Sequence, residues 1–149
     1  MLPAFPSFYT VQYQAQPPLL RGRALRRLSA IELTEVSELL LAWAKHYECP
    51  FWLLDTWVDT KPQPLDVYEW LRDEFFPRVQ RSLNRIPCVA FVAQPKLWQA
   101  LNILSYAPPI PVILSAAYRA YWFTNEAEAL AWLAQFRPTI GAAPDPARA

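Results

Sequence analysis

Glycine is what this chain has least of: two residues in 149, Gly22 and Gly141. Phosphate loops need several glycines for tight turns and close backbone approach, so Walker-type and dinucleotide-binding fingerprints are excluded. The lone histidine, His46, rules out any site that needs two imidazoles, including His-rich zinc and facial-triad iron centres. Charge of one sign is missing too. A net charge of +1 gives no electrostatic case for nucleic acid or an anionic membrane as the main partner. No apolar run approaches the roughly 18–20 residues that span a bilayer. The opening Met1-Leu2-Pro3-Ala4-Phe5-Pro6 lacks the basic start and long apolar segment of a signal peptide. The expectation is a cytoplasmic chain with no membrane partner, in which the two cysteines, Cys49 and Cys88, need not pair.

What is present is a core. Hydrophobic residues make up 54% of the chain and aromatics 15%, enough for one domain of ordinary size without disulfides or metals. The organising stretch is Phe51-Trp52-Leu53-Leu54-Asp55-Thr56. A short apolar run with helical patterns on both sides reads as a buried central strand of an α/β sheet. It delivers Asp55 and Thr56 at its carboxyl end, where open α/β sheets usually hold their ligands.

Around it, Phe8–Tyr13 alternates and reads as a strand, and Leu19–Arg26 as a second, weakened by Gly22. Ser29 with Glu32 forms a capping box. Val36, Leu39, Leu40, Trp43, Ala44 and Tyr47 then recur as one helical stripe, with acids early and Lys45 late. A second helix starts near Asp66 and meets Pro77, which predicts a kink or a stop and restart. Pro87–Ala93 is another buried strand, and Pro95 opens a third helix through Leu104. Residues 105–117 read as an irregular connection, briefly extended at Pro111–Leu114. Tyr118–Phe123 is the last strand, and Asn125 caps the last helix. The predicted order is ββαβαβαβα, a single α/β domain over residues 1–136 with a mixed, mostly parallel sheet and flanking helices. Residues 137–149, small and Pro-rich, are expected to be a disordered tail.

The last unit, Arg119-Ala120-Tyr121-Trp122-Phe123-Thr124-Asn125-Glu126-Ala127-Glu128-Ala129-Leu130-Ala131-Trp132-Leu133, resembles the C-terminal signature of SpoIIAA/STAS-like bacterial proteins. There, a strand ending in Phe leads to an acidic helix start and an Ala-Leu-x-Trp-Leu run. The Phe51–Asp55 strand, the Phe76-Pro77-Arg78 segment and the Cys88–Ala93 strand fall in matching order. The resemblance is to a branch apart from the anti-sigma-factor antagonists themselves. It implies an α/β sheet with flanking helices and a role in protein–protein regulation rather than catalysis. In the antagonists a phosphorylatable Ser follows an Asp in an Asp-Ser-(Ser/Thr)-Gly helix start. The counterpart here is Asp59-Thr60, without the glycine and closer to the strand. It makes Thr60 the candidate phospho-acceptor, with Lys61 the local cation to receive the added charge.

Other groups have a chemical reading beside a plainer one. Asp55, Asp59 and Asp66 could gather as a cation site or general base, or serve as strand end, solvated acid and helix cap. Cys49 and Cys88 could meet as a redox pair, or fill space as small apolar residues. Arg21, Arg23, Arg26 and Arg27 with Tyr9 and Tyr13 could clamp single-stranded nucleic acid, or form ion pairs. His46 closes a helix. Both faces of the central strand are apolar, so one face would need a cover if all the helices lay on the other.

The function expected is a non-enzymatic STAS-like regulatory or protein-interaction domain. It would be a homodimer through its aromatic sheet face or edge strand, or would bind another protein, with no nucleic acid. The alternative is a small-molecule or lipid-binding module whose aromatic-lined pocket lies by the carboxyl end of the central strand. Its candidate surface is Asp55, Thr56, Trp57, Asp59 and Trp98. An enzyme built on Asp55 with Thr56 or Thr60 is a third reading. No catalytic residue, cofactor or metal is assigned.

Overall fold

The computed structural model of the chain describes residues 2–103, 112–114 and 117–137. The expected tail falls almost wholly outside these residues, as does the segment 104–111. The elements are β1 (Tyr9–Ala15), β2 (Pro18–Ala24), α1 (Ala30–Tyr47), β3 (Phe51–Asp55), α2 (Leu65–Trp70), α3 (Phe76–Leu83), β4 (Cys88–Val92), α4 (Pro95–Ile103), β5 (Val112–Leu114), β6 (Arg119–Phe123) and α5 (Glu126–Ala134). A π-helical turn, Leu71–Phe75, joins α2 to α3. The six strands form one sheet in the order β1-β2-β3-β4-β6-β5. β2, β3, β4 and β6 are parallel, with β1 and β5 antiparallel at the two edges. The α/β class and the mostly parallel sheet are as the sequence pattern predicts. The addition is β5, three residues long, in the stretch read as only briefly extended.

The registers settle which side chains share a face. Leu20, Trp52, Val89 and Ala120 lie abreast, as do Leu53, Ala90 and Tyr121 one residue on. Trp52 faces α1 and the π turn, its ring 6.2 Å from that of Phe75. On the same face Phe91 stacks on Trp122 at 4.3 Å. The opposite face is covered by α5, whose Trp132 packs on Tyr121 and Phe123. The aromatic sheet face proposed as a dimer surface is therefore already filled from within the chain. Arg137 still belongs to the fold: its guanidinium lies over the Phe51 ring and donates to the Pro18 carbonyl at 2.7 Å.

Local chemistry explains the element ends. At α1, Ser29 Oγ accepts from the Glu32 N–H while the Glu32 carboxylate accepts from the Ser29 N–H. Arg26 adds two hydrogen bonds to that carboxylate. Together they hold Glu32 down at about 2. Asn125 caps α5 by accepting from the Glu128 N–H at 3.1 Å. Pro77 does not stop its helix. The turn before it loosens so that Phe76 N–H bonds the Leu71 carbonyl five residues back, and Pro77 enters the first turn of α3, where its missing donor costs little.

Glycine scarcity is visible in the backbone. Both α1 and α3 end on left-handed residues that are not glycine, Glu48 (φ 52°) and Asn84 (φ 53°). Gly22, by contrast, sits under the buried Tyr9, and a Cβ there would overlap the tyrosine hydroxyl. Two opposite substitutions test this reading by urea unfolding. Glu48→Gly should stabilise the protein by about 1 kcal/mol, because it relieves the left-handed strain. Gly22→Ala should destabilise it by about 1–3 kcal/mol, and Tyr9→Phe in the same chain should recover part of the loss.

Candidate functional site

The carboxyl edge of the parallel strands is closed by the loop that leaves β3. Asp55 Oδ1 accepts from the Trp57 N–H at 2.8 Å, an Asx turn that reverses the chain. Thr56 donates twice to one acceptor: its N–H and its Oγ1 reach the Val92 carbonyl at 2.8 and 2.9 Å. That extends the β3–β4 ladder by a residue and commits the hydroxyl proton, which leaves Thr56 poorly placed as a nucleophile. The Asp59 N–H returns to the Thr56 carbonyl, and Gln94 Nε2 holds the Trp57 carbonyl at 2.7 Å.

Asp59, read from sequence either as part of a cation or binding surface or as a solvated acid, turns inward. It is only 9% exposed, and its Oδ1 has no hydrogen-bond donor. The nearest cation is Arg27, whose Nη1 stands 3.7 Å away. That guanidinium spends its hydrogen bonds on the carbonyls of Lys61 and Pro62. Burial raises the Asp59 carboxyl above its ordinary value, and the Arg27 charge opposes this in part. Gln63 and Tyr68 complete the frame, neither of them singled out by sequence as polar groups. Gln63 Nε2 donates to the Leu28 carbonyl, and its N–H donates to the Tyr68 hydroxyl. Burial pushes Tyr68 up to about 12.

Behind Asp55, Thr56 and Asp59 lies a cavity of about 60 Å³. Its walls include Tyr9, Val36, Trp52, Phe75 and Phe91, with Asp55 and Asp59 also in the lining. Burial and the Asp55 charge both raise the Tyr9 phenol. The cavity has aromatic walls, but they are not the Trp57 and Trp98 expected beside Asp55. Trp57 is 46% exposed on the loop. Trp98, half-buried on α4, packs against the core. Neither ring lines the cavity. Nothing in the sequence marks Tyr9, Phe75 or Phe91 as cavity-lining rather than core.

The remaining candidates separate. Thr60 is exposed just beyond Asp59, and Asp66 is exposed in the first turn of α2. Among the described residues no group of His, Cys, Asp or Glu could hold a metal ion. Cys49 and Cys88 are both free and buried. Desolvation raises both thiols, which disfavours thiolate chemistry. The arginine cluster disperses into ion pairs: Arg21 with Glu126, Arg23 with Asp55, Arg26 with Glu32, Arg27 with Asp59. Arg21 and Arg23 share a face with Leu53 and Asp55, whereas Tyr9 and Tyr13 lie on the other, so no stacking clamp forms. Among the described residues no helix is long and apolar enough to cross a membrane. No protein-family model, curated protein or solved structure matches the chain.

The Asp59 environment has a signed pH consequence. A carboxyl raised on folding stabilises the folded state below its unfolded value, 3.8, and that stabilisation is lost as pH rises through the folded value. In urea titrations, the stability of wild type relative to Asp59→Asn should therefore fall as pH rises from 3.8 through the folded value. A difference that is flat or rises with pH contradicts the assignment.

Proposed function

We propose that this chain is a non-enzymatic, cytoplasmic interaction domain of the STAS-like kind that pairs with a second copy of itself along β1. The order of its elements and its last strand–helix unit support the kinship. The observation that carries the reading is the state of the β1 edge.

Phe8 O accepts from the Leu25 N–H at 2.8 Å. Antiparallel pairs alternate, so the peptide groups of Thr10, Gln12 and Gln14 turn toward β2, and those of Val11, Tyr13 and Ala15 turn outward. The strand Tyr-Thr-Val-Gln-Tyr-Gln-Ala carries no charge and no proline. Edge strands are ordinarily protected from pairing by charge, proline, a bulge or a cover. β1 has neither charge nor proline, and its register with β2 runs unbroken from Tyr9 to Ala15.

A two-fold axis at Gln12 would set Val11 opposite Tyr13 twice, giving four backbone hydrogen bonds with no like charges opposed. On one side Tyr13 is already fixed, its ring stacked at 3.9 Å on Tyr47 of α1, so little side-chain freedom is lost on pairing. A single substitution isolates this edge. Val11→Pro removes one outward donor and none directed to β2, so the monomer should keep its far-UV circular dichroism. Analytical ultracentrifugation should find wild type dimeric and the variant at least about tenfold weaker in self-association. A wild type that stays monomeric at high concentration, or a variant that dimerises equally well, overturns the reading.

A further inference from the structure

A second site lies inside the chain and does not depend on pairing along β1. We propose that the cavity behind Asp59 binds a small primary amine, its ammonium at Asp59 Oδ1 and its hydrocarbon tail between α1 and β3. Asp59 is nine-tenths buried, faces the cavity, and presents an oxygen that no donor in the protein satisfies. A buried acceptor left unmet costs about 1–3 kcal/mol, so a donor arriving there has a ready partner.

The charge of the ligand follows from the wall. Asp59 lines the cavity, as does Asp55, whose carboxylate is held by the Trp57 N–H and by Arg23 on the other face of the sheet. The cations paired with them, Arg23 and Arg27, each stand 3.7 Å off and are absent from the lining. The interior therefore offers acceptors and negative charge to a guest but no guanidinium, which favours an ammonium over a carboxylate or phosphate. The rest of the lining, including Leu40, Trp52, Leu54 and Phe75, is apolar and suits a short alkyl chain. Size sets the length. At the roughly 10–15 Å³ that a water-sized group needs, about 60 Å³ admits roughly four to six non-hydrogen atoms, the size of butylamine or isopentylamine. The π-helical turn serves this shape directly, since Leu71 and Phe75 at its two ends both reach the cavity wall. π turns inside α-helices occur frequently at functional sites.

The test is titration of the full chain with butylammonium, 1-butanol and butyrate in separate runs, followed by the NMR shifts of the Val36 and Leu40 methyl groups. Butylammonium should bind about tenfold tighter than 1-butanol, and butyrate should leave the shifts unmoved. Asp59→Asn should reduce the amine to the affinity of the alcohol. Ala24→Val, which fills the cavity from β2, should remove binding of both while keeping the fold. Should the Asn variant fail to fold, the Ala24→Val result and the amine-over-alcohol ratio decide. Equal binding of amine and alcohol to wild type, binding of butyrate, or no shift with butylammonium overturns the proposal. So does unaltered amine binding in either folded variant. The oligomeric state of the protein enters none of these outcomes.

Discussion

Everything else in the fold depends on the parallel ladder between β3 and β4, covered on both faces. Trp52, Val89 and Ala90 have no exposed surface, and the polar atom this buries is satisfied: the Trp52 indole N–H donates to the Cys49 carbonyl at 3.0 Å. A strand enclosed on both faces needs apolar residues at odd and even positions alike, which is why neither Phe51–Leu54 nor Cys88–Val92 alternates. The ladder also fixes the site. Thr56 continues it by bonding Val92, so the loop from Asp55 to Asp59 leaves the sheet at a fixed angle. Asp59 then folds back under Arg27 instead of out into water.

The legible part of the sequence was the part governed by periodicity and capping. Ser29 with Glu32, Asn125 with Glu128, and the two continuous apolar strands each have one cheap local solution, and the chain takes it. The parallel pairing of the strands near positions 51 and 88 followed from the helical crossover between them. Pro77 was legible only as a disturbance. Whether a helix breaks or loosens there depends on what its neighbours gain by continuing, and Phe75, Phe76 and Val79 are all fully packed. Coverage of the second face was not readable, because it turns on where α5 docks rather than on its own pattern.

The site was half legible. Asp55 and Thr56 stand where the strand order implied. The burial of Asp59 was not legible because nothing local marks a loop carboxylate as buried: its ion-pair partner, Arg27, sits 32 residues earlier in the chain. Trp57 and Trp98 were expected to line a pocket beside Asp55, whereas the cavity draws on Tyr9 from the edge strand and Phe75 from the π turn. These contacts are set by tertiary register, on which composition is silent. The same arrangement gives the molecule two unlike surfaces, an outer strand with unused peptide groups and an inner acid facing an apolar hollow.

The most direct measurement is amide hydrogen exchange followed by NMR at two protein concentrations. The account predicts that the amides of Phe51–Leu54 and Val89–Val92 exchange only through global unfolding at both concentrations. The amides of Val11, Tyr13 and Ala15 should exchange fast in dilute solution and slow as the protein is concentrated. Central amides that open before those of the edge, or edge amides whose rates ignore concentration, would contradict it.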